Sequence, residues 1–177
     1  MKMKNPFKSN KTDEDKGGLI MLHDKNIEPI EVPDGMRKLF LSYAILDLET
    51  KQVGFGNTLA LFAPHLYPEG FKQFIKISEE SISKAASQAT GRPLKVSLLN
   101  IQVIQCPATP KDIFFSYNSV NANTGQNSFG NYQTKTNPEL YNEISIEKFI
   151  ASIQSEIARK TKERTGDIVS VQLLFFR

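Results

Sequence analysis

One stretch of this sequence is written twice. Phe40-Leu41-Ser42-Tyr43 returns as Phe114-Phe115-Ser116-Tyr117, a shift of 74 residues (40 to 114). At that shift Thr50, Gln52, Phe55, Gly56 and Asn57 meet Thr124, Gln126, Phe129, Gly130 and Asn131. Pro64, Leu66, Tyr67 and Glu69 likewise meet Pro138, Leu140, Tyr141 and Glu143. One inserted residue lengthens the shift to 75 (74 to 149). Phe74, Ile75, Ile82, Thr90 and Gly91 then meet Phe149, Ile150, Ile157, Thr165 and Gly166, and Val96, Leu98 and Leu99 meet Val171, Leu173 and Leu174. The matches include turn residues as well as apolar ones. Shared composition does not explain that; a tandem duplication does. Whatever this chain builds, it is expected to build twice.

Each copy reads as strand, strand, helix, strand. Leu39, Leu41, Tyr43 and Ile45 alternate with Phe40, Ser42, Ala44 and Leu46, the period of a strand, and Ile113, Phe115 and Tyr117 repeat it. Glu49-Thr50-Lys51-Gln52 and Asn123-Thr124-Gly125-Gln126 are short polar turns. The second strand runs through Gly56 or Gly130, which marks a bulge or a close backbone approach. Phe71, Phe74, Ile75, Ser78, Ile82, Ala85 and Ala86 then share one helical face, as do Ile146, Phe149, Ile150, Ile153 and Ile157. Pro68 and Glu69 suit the first turn of one helix and Ser145 the N-cap of the other. Gly91 and Gly166 stand where each helix stops, and a third strand follows at 94–104 and 168–176.

The expected fold class is α+β, a tandem strand-strand-helix-strand unit forming one compact pseudo-twofold body. The first copy spans 36–106 and the second 111–177; residues 1–35 form an N-terminal extension whose polar beginning reads as a mobile tail. A helix covers one sheet face only, yet Leu46, Leu59, Leu61, Leu99, Ile101 and Val103 put apolar groups on the other. That face needs burial, either by edge-to-edge pairing into one six-stranded sheet or by packing face against face. The short linker Gln105-Cys106-Pro107-Ala108-Thr109-Pro110 favours a fixed pair over two free domains.

Composition removes several chemistries. Among 177 residues there are one cysteine and two histidines, which argues against a disulfide framework, a Cys/His zinc site and most histidine catalysis. Net charge is +3, too weak to imply nucleic acid by itself. No run of about 18 apolar residues suits a membrane crossing, and no apolar stretch follows the basic start as in a signal peptide. With an unpaired Cys106, the expected location is cytoplasmic, without a membrane partner.

Reactive groups do not repeat. His65 meets Glu139, His23 has no carboxylate or cysteine at an informative spacing, and Cys106 reads as an apolar filler. Ser42 and Ser116 lack the Gly-x-Ser-x-Gly surround of a nucleophile elbow. Glu79-Glu80 is replaced by Gln154-Ser155. Gly54-Phe55-Gly56-Asn57 lacks the third glycine and the following helix of a phosphate loop. No catalytic residue, metal ligand set or cofactor is therefore assigned.

Two features remain for binding. Phe55/Phe129 and Asn57/Asn131 repeat on strand two, near the repeated Tyr43 and Tyr117. Such rings either stack bases or pack between the copies. Arg159, Lys160, Lys162 and Arg164 make a basic helix end, which attracts phosphates or complements the helix dipole.

Phe40, Ser42, Tyr43, Gly54, Gly56 and Asn57, and in the second copy Phe114, Ser116, Tyr117, Gly130 and Asn131, form a pattern that resembles a group of small uncharacterised phage and mobile-element proteins. The resemblance covers each copy and implies a phage- or plasmid-encoded accessory protein, without importing an activity. The expected function is therefore a non-enzymatic binding or accessory protein acting on a host protein or small ligand. The alternatives are a nucleic-acid-binding module, using the strand-two face and the basic helix end, and an enzyme with a site where the copies meet.

Overall fold

The computed structural model describes residues 34–104, 109–136 and 145–177. The extension before Asp34, Cys106 with most of its linker, and Glu139 lie outside the described residues. Within them the alternating segments form strands β1 (Arg37–Asp47), β2 (Val53–Phe62) and β3 (Leu94–Val103), with helix α1 (Phe71–Thr90) between β2 and β3. The second copy forms β4 (Asp112–Asn121), β5 (Asn127–Lys135), α2 (Ile146–Thr165) and β6 (Val169–Phe176) in the same order. The fold is α+β, with two antiparallel sheets ordered β2-β1-β3 and β5-β4-β6. Two units of like order are consistent with a pseudo-twofold arrangement. Because the sheets are separate and the back face of the second keeps Phe114 and Phe129 exposed, the pair is neither one six-stranded sheet nor two sheets packed face against face.

The units agree in register as well as in order. Ser42 faces Asn57 and Tyr43 faces Gly56; Ser116 faces Asn131 and Tyr117 faces Gly130. The central strand shifts register against the third between Ser42 and Tyr43, and again between Ser116 and Tyr117. Both hairpins turn on an acceptor side chain at the end of the central strand. Asp47 Oδ1 accepts from the Glu49 and Thr50 amides, as Asn121 Oδ1 does from Asn123 and Thr124. Each helix ends at a left-handed glycine, Gly91 or Gly166, whose N–H donates to Ser87 O or Lys162 O.

Local differences have local causes. Helix α1 begins at Phe71 behind Gly70, so Pro68 and Glu69 precede it rather than forming its first turn. A 3-10 turn at Pro64–Leu66 takes up the chain instead. Ser145 does stand at the N-cap of α2.

The two faces of β1 have different partners. Leu39 and Leu41 pack with Ala60, Tyr67 and Phe74, while Tyr43 packs with Ile82 and Val96, so the odd positions lie under α1. Phe40 and Leu59 instead enter the core of the second unit, with Ile146, Phe149, Phe115, Leu173 and Phe176. The back face of the first sheet is thus buried against α2 and against β6, the outer strand of the second sheet. Phe40 meets Phe176 edge-on, with ring centroids 4.9 Å apart. Lys38, only 3% exposed, is held there by Glu147 at 2.8 Å. A buried ammonium is tolerable only with such a partner. Among the described residues no helix is long and apolar enough to cross a membrane.

Candidate functional site

Six strand residues carried the binding expectation, and the sheets distribute them over both faces. Tyr43 and Tyr117 turn toward the helices. Tyr43 is buried under α1, and burial pushes its hydroxyl pKa up. Its ring lies over Gly56, where a Cβ would come within 2.6 Å of the ring. Tyr117 covers Gly130 in the same way and is only half-buried. The strand-two glycines are therefore close-approach positions. The tyrosines pack, and they do not share a face with the asparagines.

Phe55, Asn57, Phe129 and Asn131 lie on the back faces, and there the copies part company. Phe55 and Phe129 touch each other edge-on, with centroids 5.3 Å apart. Asn57 sits in the junction between units. Its Nδ2 lies 2.9 Å from Gln154 Oε1, 3.0 Å from Leu173 O and 3.1 Å from Gln172 Oε1. Two amide hydrogens serve these three acceptors, so the site is a shared polar clamp. Gln154 Oε1 also accepts from Leu173 N–H, and Asn100 Nδ2 reaches Leu174 O. Together these side chains answer backbone groups of β6 that an edge strand would otherwise present unpaired. Asn131, the counterpart of Asn57, is exposed and merely accepts from Ser116 Oγ at 2.9 Å.

The open face of β5-β4-β6 carries exposed rings among polar neighbours such as Ser116, Asn131 and Gln133. Phe129 is 63% exposed, and Phe114 and Phe175 lie on the same open face of β5-β4-β6. Alternation alone groups Leu174 and Phe176 with Phe114 on that face. The register shift between Ser116 and Tyr117 instead puts Phe175 there and Phe176 in the core. Nothing in the sequence says that the face stays open while its counterpart in the first unit is covered.

The basic helix end is largely neutralised. Arg159 is paired with Glu156 and Glu163, which raise its pKa further. Lys160 bonds the Tyr132 hydroxyl and pairs with Glu156, the hydroxyl being the larger cause of its raised pKa. Glu156 is correspondingly lowered, first by Arg159 and then by Lys160. Lys162 and Arg164 lie exposed in the last turn and suit the dipole of the helix end. An open depression lined by Tyr132, Thr134, Ser152 and Arg159 adjoins this cluster. Among the described residues no group of three or more His, Cys, Asp or Glu stands together as metal ligands. His65 lies exposed in the 3-10 turn. No family model, curated protein or solved structure matches the chain.

Proposed function

We propose that the protein is a non-enzymatic binding protein that works through the open face of β5-β4-β6. The supporting observation is that Phe129, 63% exposed, shares one open sheet face with the exposed Phe114 and Phe175. Exposed rings spread over one face in this way suit an interaction surface. The expected partners are a host or mobile-element protein or a small ligand, met in the cytoplasm. Native mass spectrometry of the purified chain tests this. Material retained by the wild type should be lost from a Phe114→Ser/Phe129→Ser variant of unchanged circular dichroism. Turnover of nucleotides, esters or nucleic acid by the wild type, undiminished in that variant, would overturn the reading.

A second reading, single-stranded nucleic acid stacked on Phe129, draws on the same exposure. Its cations are poorly placed for it, because α2 packs on the Phe115 side of the sheet, opposite Phe129. Oligonucleotide anisotropy at several salt concentrations checks it. A flat dependence of log affinity on log salt removes the phosphate contacts.

A further inference from the structure

The junction between the units is one-sided. The back face of the first unit receives the helix flank and outer strand of the second. The back face of the second receives nothing comparable among the described residues, and the flank of the first unit is likewise left open. Among the described residues the Phe55–Phe129 ring contact joins a residue to its own counterpart. The junction contacts of Lys38 with Glu147, of Phe40 and Ile146 in one core, and of Asn57 with Gln154 have unused equivalents.

The unused equivalents match one another. In the junction Phe40 and Ile146 are 0% exposed, packed in one core. Their counterparts at the shifts of 74 and 75 are Phe114 and Phe71, which are 49% and 47% exposed. Asn57 binds Gln154 Oε1, which also accepts from Leu173 N–H. The counterpart acceptor is Glu79, and its Oε1 already accepts from Leu98 N–H at 2.8 Å, the counterpart of Leu173. Glu79 therefore holds the pose from which Gln154 receives Asn57, and Asn131 is the exposed amide that would meet it.

Charge adds a second, independent argument. The junction pair is Lys38 with Glu147. The counterparts are Asp112 and Lys72, with the sign reversed at both ends. Both are exposed, and neither makes an ion pair among the described residues. Reversal at one end alone would make the open halves repel; reversal at both keeps them complementary. It also sets Asp112 against Glu147, and Lys72 against Lys38, if the halves are exchanged, which disfavours wrong pairings.

We propose that a second copy of this chain occupies the open surfaces. The β5-β4-β6 face of each chain receives the α1 flank and β3 edge of the other, with Asp112 on Lys72, Phe114 on Phe71 and Asn131 on Glu79. Two such head-to-tail junctions close a dimer of four units around one axis, with the Phe55 and Phe129 rings nearest that axis. This rests on the reading of the open face as a binding surface and puts a second copy there in place of a host protein or small ligand.

The test is sedimentation velocity of the full chain across the micromolar range, with circular dichroism as the folding control. The wild type should sediment as a species of twice 19.9 kDa. Asp112→Lys brings two cations together and Lys72→Glu two anions, so each variant alone should dissociate at least tenfold more readily. An equimolar mixture should return to the dimer, because the changed positions face each other in one junction and the native pair forms in the other. Zero-length cross-linking of Lys72 to Asp112 between isotopically light and heavy chains is expected from the wild type. A wild type that stays monomeric overturns the proposal, as does a dimer indifferent to both variants or a mixture that fails to recover. A monomer that still loses a retained partner on Phe114→Ser/Phe129→Ser would leave the binding reading standing and remove the self-association alone.

Discussion

Two tyrosine rings decide which residues the second strands accept. A Cβ on Gly56 would lie 2.6 Å from Tyr43 Cε2, and one on Gly130 would lie 2.5 Å from Tyr117 Oη. The surroundings differ, since Tyr43 is 5% exposed under α1 whereas Tyr117 is half-buried and has room to move outward. Gly56→Ala should therefore cost about 1–3 kcal/mol by overpacking, and Gly130→Ala clearly less. Urea midpoints at unchanged m-value measure both, and equal losses would count against the ring contact as the cause. The sequence left bulge or close approach open at these glycines. Close approach applies, and the register shift falls one strand away, between β1 and β3, where no residue type announced it.

At the scale of elements, hairpins and edges are finished by side chains rather than by backbone. Asp47 and Asn121 accept the same pair of turn amides. The Thr50 amide is the largest cause that lowers the Asp47 pKa; partial burial opposes it, and the Glu49 amide and Arg92 add to it. A carboxyl lowered on folding stabilises above its unfolded pKa, and that contribution fades as pH falls through the lower folded value. Asp47→Asn keeps the acceptor that Asn121 already uses. Its melting temperature should stay close to wild type near neutral pH and fall less on acidification, as a pH series of thermal melts would record. The β3 edge is closed by α1: Ser87 Oγ, Ser83 Oγ and Glu79 Oε1 accept from the Leu94, Val96 and Leu98 amides. Glu79→Gln, the residue type found at Gln154, should be nearly neutral, whereas Glu79→Ala should cost about 1 kcal/mol by stranding an amide. Denaturant titration of the two variants separates these outcomes. Glu79 and Glu80 were readable as the solvent side of α1; the turn of Glu79 toward a strand edge was not, because it depends on where β3 lies.

For the whole molecule, Phe40 and Phe114 are the same residue in two situations. Phe40 is 0% exposed between the units and Phe114 is 49% exposed on the open face. Phe40→Ala should cost about 3–5 kcal/mol through lost burial and a cavity. Phe114→Ala should change the stability of the single chain by less than about 0.5 kcal/mol, measured at concentrations below association. Similar losses in both would mean that the junction does not organise the core as described. Phe71 makes the same point on α1. It belongs to the apolar stripe read from the sequence, yet it is 47% exposed, while Ile146 at the matching place on α2 is covered by the first unit.

The sequence by itself determined the elements: two strand-strand-helix-strand units, their turns, and the alternation of faces along β1 and β4. It did not place the register shift that turns Ile101 and Val103 of β3 to the α1 face rather than the back face where alternation puts them. Periods of two and of three to four are local properties, and the chain states them twice. The tertiary structure decided which of those faces is buried. Lys38 and Glu147, or Asn57 and Gln154, are far apart in the chain, and nothing in either neighbourhood announces the other. Burial depends on what the other unit presents. One face of this repeated design therefore became core, and its twin became surface.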